Sequence, residues 1–217
     1  MAFALVGLSL KSLAVDTHAV LEAWLAAQTN LVTWQADFTQ TRTLTTLTQP
    51  LISHGRVYFA APNRFRWEIG EPPQTIALRQ PEQVLVIYPR LKRAERYPLD
   101  SSKGGPWKDA MALLDAGFPR SQSELESRFR ILSLIESENR WWLSLQPKAA
   151  SARRLMPEIR LAFAREGHGL IATELKFMDG STMRSEFTHI VFNAQQDLNL
   201  FTPVLGSEIQ VSEPSKK

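Results

Sequence analysis

Residues 34–68 read WQADFTQTRTLTTLTQPLISHGRVYFAAPNRFRWE, and the alternation inside this stretch decides the fold. A strand turns successive side chains to opposite faces, so residues two apart lie together. Val32, Trp34, Ala36, Phe38 and Gln40 fall on one side of a first strand. Gly55, Val57 and Phe59 share a face of a second, beyond Pro50, which breaks the run. Pro62-Asn63 makes a turn, after which Phe65 and Trp67 share a face and Arg64, Arg66 and Glu68 take the other. Strands apolar on one face fit an antiparallel sheet covered on one side. The large side chains gathered there build either a packed core or the lining of a cavity, and periodicity alone leaves both open.

Upstream, Asp16 or Thr17 can cap a helix to about Thr29 whose stripe is Val20, Leu21, Trp24 and Leu25, with Asn30 as its stop. Thr39 to Thr48 is threonine-rich, with high β propensity and little to bury, and reads as an exposed hairpin arm. Downstream, strands are expected over Gln74–Arg79, Gln83–Tyr88 and Lys92–Leu99, and the basic cluster Arg90, Lys92, Arg93 and Arg96 reads as a solvated face. After the Ser101–Gly105 loop, Pro106 fits the first turn of a helix with Trp107, Ala110, Met111, Leu113 and Leu114 on its apolar side, ended by Gly117. Ser121–Ser127 adds a further helical turn.

Five more strands follow: Phe129–Glu136, Arg140–Gln146, Glu158–Arg165, Leu170–Met178 and Met183–Phe192. Gly167-His168-Gly169 and Asp179-Gly180 are strong hairpin signals, and Lys148–Arg154 reads as a basic loop. About eleven strands with short turns and no βαβ alternation predict a mainly β protein, an α+β arrangement in which one strongly curled antiparallel sheet forms an incomplete barrel under short helices. The expected division is residues 1–14 as the remnant of a leader, 15–211 as a single domain and 212–217 as a polar tail.

The totals exclude several function classes. Lys+Arg 25 against Asp+Glu 22 gives a net charge of +3, too even to argue for nucleic acid. Cysteine is absent, which rules out disulfides, thiol catalysis, thiolate metal sites and an acylated N-terminal cysteine. Ala2–Leu10 is apolar over the length of a signal-peptide h-region, and Ser12-Leu13-Ala14 supplies small residues for cleavage near Ala14, although the positive n-region is missing. This pattern predicts an exported protein.

Motifs for chemistry are lacking. His18, His54, His168 and His189 do not pair at metal-ligand spacing, and the sequence holds no G-x-S-x-G elbow, P-loop or dinucleotide fingerprint. Glu136 and Glu138 sit at a turn and do not mark an acid/base pair. Neither a cofactor nor a metal is expected. The sequence therefore points to binding rather than catalysis, and a sheet of ~11 strands curls around a space that its own side chains need not fill.

Several motifs carry a resemblance. Phe38-Thr39-Gln40, Gly55, Pro62 and Phe65-Arg66-Trp67-Glu68 resemble the LolA family of periplasmic lipoprotein carriers, as do Val86–Pro89, Leu145–Ala149 and Phe201-Thr202-Pro203. The likeness runs from about Asp16 to Glu208, and its specificity lies in the order and spacing of the motifs. It implies an eleven-stranded half-barrel under three helices, which takes an acylated lipoprotein from an inner-membrane extractor and passes it to an outer-membrane receptor. By that analogy Trp34, Phe38, Val57, Phe59, Phe65 and Trp67 line the cavity, while Leu21, Trp24, Met111 and Leu114 face it from the lid. The implied carrier is a periplasmic monomer that performs no covalent chemistry.

Ala61 departs from the family, whose carriers place there, just before the proline, an arginine that holds the lid closed. The run Thr41–Leu51, with Ser53 and Gly55, is more similar to LolA-related proteins of aryl-polyene-type biosynthetic clusters, which implies a different apolar cargo. Two other readings use the same fold. A periplasmic sensor or interaction module that binds a protein partner would have a cavity too small for lipid and an exposed apolar patch on its outer face, and a lipid-modifying enzyme would need a hydroxyl, carboxylate or histidine, such as His54 or His189, inside the cavity.

Overall fold

The computed structural model describes residues 16–99, 117–203 and 205–213. The expected leader, the Ser101–Gly105 loop and the helix carrying Met111 and Leu114 lie outside the described residues. Helix α1 spans Thr17–Thr29 and is capped by Asp16, whose carboxylate accepts the backbone N–H groups of His18 and Ala19 at 3.0 and 3.4 Å. Its stripe buries Leu21, Trp24 and Leu25, and the helix ends at Asn30 as expected.

The strands are β1 (Thr33–Thr43), β2 (Leu51–Ala60), β3 (Arg64–Ile69), β4 (Thr75–Arg79), β5 (Gln83–Tyr88) and β6 (Arg93–Pro98). They continue as β7 (Phe129–Ser137), β8 (Arg140–Pro147), β9 (Glu158–Ala164), β10 (Leu170–Lys176), β11 (Thr182–Phe192) and β12 (Gln210–Ser212). Two short helices, α2 (Gln122–Arg128) and α3 (Ala150–Leu155), flank β7 and β8. All twelve strands form one sheet in the order β12-β6-β5-β4-β3-β2-β1-β11-β10-β9-β8-β7, which is not closed.

The sequence predicts about eleven strands, and the structure adds one. Gln210–Ser212 is short and exposed, without alternation, and becomes a strand by pairing in parallel with Arg93–Glu95 of β6. The other neighbouring pairs are antiparallel. Leading into β12, Leu205 and Ile209 cover Leu78, Leu85, Ile87 and Ala94 on the outer side of β4–β6, so both sides of that region are apolar.

Two further expectations are corrected. Val32 precedes β1 and is 62% exposed rather than sharing the inner face; its N–H donates to Asn193 Oδ1 at 2.8 Å, which fixes the chain before alternation begins. The basic loop Lys148–Arg154 contains most of α3. Ala149 offers this helix no side-chain cap, so the usual signal is missing; instead the Arg153 guanidinium donates back to the Pro147 and Lys148 carbonyls at 3.2 and 3.1 Å.

The core lies on the inner face. Leu143, Leu145, Ile159, Leu161 and Phe163 are fully buried there, and the Trp24 ring of α1 stacks on Phe163 with centroids 5.4 Å apart. On the outer face of β8–β11, Trp142 is buried beneath the guanidinium planes of Arg160 and Arg184, 4.6 and 5.2 Å from its ring. Arg160 pairs with Glu174 at 3.0 Å and Arg140 with Glu186 at 2.9 Å, which hold this charged layer in place.

The β10–β11 turn supplies a pH dependence. The Asp179 carboxylate accepts the Ser181 hydroxyl and backbone N–H, and these bonds hold its pKa below the usual carboxylate range. A depressed folded-state pKa gives a contribution that is full above the ordinary carboxylate value and lost as pH falls through the lowered one. The urea midpoint of Asp179→Asn should therefore lie below that of the parent at neutral pH, with the gap closing under about pH 4. A gap that stays constant on acidification would contradict this.

Candidate ligand-binding face

The inner faces of β1, β2 and β3 come into register as two rows. Trp34 stands opposite Phe59, which stands opposite Phe65; Ala36 stands opposite Val57, which stands opposite Trp67. In a third row Phe38 lies opposite Gly55, and a Cβ at Gly55 would sit 2.7 Å from Phe38 Cζ and 1.9 Å from the Glu68 carbonyl oxygen. Glycine is thus the seat over which the Phe38 ring crosses to meet Trp67, at 4.3 Å between centroids.

All six residues expected to line a cavity are brought together on this face. Trp34, Phe38, Val57, Phe59 and Phe65 are buried and Trp67 is half-buried. Leu21 and Trp24 of α1 join the same apolar cluster. Sequence reasoning missed two rings. Phe187 of β11 lies opposite Phe38 and meets Trp34 edge-on at 5.0 Å. Its position follows from the β1–β11 pairing, whose register slips between Gln35 and Asp37, and no local pattern reveals that slip. Phe118 stacks on Phe59 at 4.4 Å and tilts against Trp34 at 5.3 Å, although it belongs to no strand.

These rings nearly fill the space between them. The cleft bounded by Trp34, Phe65, Trp67, Phe118, Leu170 and Phe187 leaves ≈ 10 Å³, room for about one water. The face is almost devoid of polar direction. The indole N–H groups of Trp24 and Trp34 are buried without an acceptor among the described residues.

Ala61 is half-buried against the cluster; its N–H donates to the Val32 carbonyl at 2.8 Å, and its methyl offers no hydrogen bond to a lid. Arg66 is committed to the outer side, donating to Glu68 at 2.6 Å and to the Leu200 carbonyl at 2.9 Å, and so does not replace the family's arginine. His168 lies beside Phe163, with ring centroids 6.2 Å apart, whereas among the described residues His54 and His189 make no ring contact with the aromatic face. His54 Nδ1 is 3.1 Å from Thr39 Oγ1, and His189, with a positive φ of 49°, places Nδ1 3.0 Å from Asp37 Oδ2 on the outer face. Among the described residues no group of three or more His, Asp or Glu side chains could hold a metal, and no helix is long and apolar enough to cross a membrane.

An open, curled sheet whose inner face gathers these rings, with α1 packed on that face through Trp24 and Phe163, defines a class of incomplete β-barrels built around an apolar interior. The chain belongs to the LolA family: residues 29–204 match the family described as "Outer membrane lipoprotein carrier protein LolA". It is 27% identical over 182 residues to an outer-membrane lipoprotein carrier protein of Dechloromonas aromatica, covering 83% of this chain and 82% of that one. Solved structures share the fold. An uncharacterized conserved protein from Thermus thermophilus aligns with a TM-score of 0.53 at 10% identity, covering 92% of this chain and 100% of the other. A DUF1329 family protein from Desulfovibrio piger gives 0.50 at 10% identity, with 89% and 98% covered.

Proposed function

We propose that this chain is a periplasmic carrier that shelters the acyl chains of a lipoprotein, or of a related lipid, and ferries them towards the outer membrane. The observation that carries the reading is the aromatic surface in which Trp34, Phe187, Trp67, Phe38 and Phe65 meet ring to ring and Phe59 joins through Phe118, in a chain of the lipoprotein-carrier family. Each methylene removed from water contributes about 0.8 kcal/mol, so such a surface can hold an acyl chain without a specific polar contact. Phe118 stands where the chain would lie, stacked on Phe59, and loading displaces it. Ring stacking by Phe118 then does what the arginine does in family members, because the Ala61 side chain has no donor to offer. The carrier works as a monomer of one domain after export, takes cargo from an inner-membrane extractor, hands it to an outer-membrane receptor and makes no covalent bond.

Native mass spectrometry of detergent-free protein with a triacylated peptide tests this. The parent protein should retain the acylated peptide and release its unacylated counterpart. Trp67→Ala, which removes a half-buried ring from the face, should weaken retention roughly tenfold. Failure of the parent to retain the acylated peptide would refute the reading.

A further inference from the structure

Beside the aromatic face, the β2–β3 turn and α2 bound a recess of ≈ 250 Å³. Its apolar side is made of Phe59, Phe65 and Phe118, three rings of the face just described. Its polar side is strongly one-signed: Arg64, Arg79, Arg120 and Arg128 line it, with Glu124 as the one carboxylate among the lining residues. These arginines come from the start of β3, the end of β4, the approach to α2 and the end of α2.

Glu124 does not balance them. One of its oxygens accepts the Arg120 backbone N–H at 2.9 Å, and the other lies 3.6 Å from an Arg128 nitrogen. Arg64 and Arg120 have no ion-pair partner among the described residues, and both are exposed. Among the described residues the lining thus holds four guanidinium groups and one carboxylate. On the outer face around Trp142 the arginines do meet carboxylates, Arg160 with Glu174 and Arg140 with Glu186.

Resting on the carrier reading, we propose that this recess receives the oxyanion head of an amphiphilic cargo whose apolar part lies on the aromatic face. The ligand class is an acyl lipid with a carboxylate or phosphate head. Guanidinium groups recognise both through charge-assisted, often bidentate hydrogen bonds. Three rings on one wall and four cations on the other place the two halves of such a molecule side by side, with no break between them. A greasy cavity alone would have the opposite preference, since moving a carboxylate out of water costs more than moving its ester.

The test uses dansyl-labelled undecanoic acid and its methyl ester, read by fluorescence on the full chain. The acid should bind about tenfold more tightly than the ester, with the gap narrowing as salt is raised. In the double variant Arg64→Gln/Arg120→Gln, whose changes fall on exposed side chains, the two affinities should come within about twofold of each other while that of the ester is unchanged. Displacement by oleate and by oleoyl lysophosphatidate then assigns the head as carboxylate or phosphate. Equal binding of acid and ester to the parent would overturn the anionic site and leave the carrier reading standing. A preference that survives in the double variant would remove the recess from it. Binding of neither probe would overturn both proposals.

Discussion

Gly55→Val is expected to lower stability by about 3 kcal/mol or more, the upper range for overpacking a close-packed site. The reason is geometric. Even the first carbon of a side chain at Gly55 would meet the Glu68 carbonyl oxygen at 1.9 Å, and that oxygen belongs to the neighbouring strand rather than to a flexible side chain. The same carbon would meet the Phe38 ring at 2.7 Å, so relief means separating β2 from β3 or tipping Phe38 off Trp67. Urea unfolding of Gly55→Ala and Gly55→Val checks this, with the alanine already destabilising and the valine more so. Parental stability for the valine variant would contradict the close approach of the two strands.

Trp34→Ala should cost about 3–5 kcal/mol, the range for removing a buried tryptophan. Trp34 is 1% exposed and is gripped by Phe187 in an edge contact and by the tilted ring of Phe118, so the vacated volume cannot be refilled by a single neighbour. Trp34→Phe should cost far less. It keeps an aromatic ring in place and removes the indole N–H, a buried donor with no acceptor among the described residues, whose burial costs about 1–3 kcal/mol. Because both variants remove the indole N–H, the difference between their urea midpoints reports what a ring packed against Phe187 and Phe118 contributes. If both lost the same stability, the packing account of Trp34 would be contradicted.

Where a residue's environment is set by its near neighbours in sequence, the fold was legible. Ile159, Leu161 and Phe163 alternate in sequence and are all fully buried, and Asp16 caps α1 through its own carboxylate. The hairpins at Gly167-His168-Gly169 and Asp179-Gly180 join antiparallel partners because both carry the positive φ that those turns need. Long-range partners decide the rest. β12 exists through β6, α3 through the carbonyls that Arg153 reaches, and Phe118 joins the aromatic face from outside any strand. For the candidate site, the six rings and apolar side chains of β1–β3 could be read from a period of two. The arginine recess could not be, because Arg64 and Arg128 are brought to one place by the curl of the sheet and not by any spacing in the chain.

The two outermost strands, β7 and β12, are not bonded to each other. A closed barrel has a circumference fixed by the number of its strands and the register of its ladders. This sheet has no such constraint. Its girth can grow or shrink by a small change of twist shared among twelve strands, with every ladder intact. An interior whose rings touch can therefore widen without the sheet giving up a single hydrogen bond, which is what the proposed carriage of an acyl chain requires.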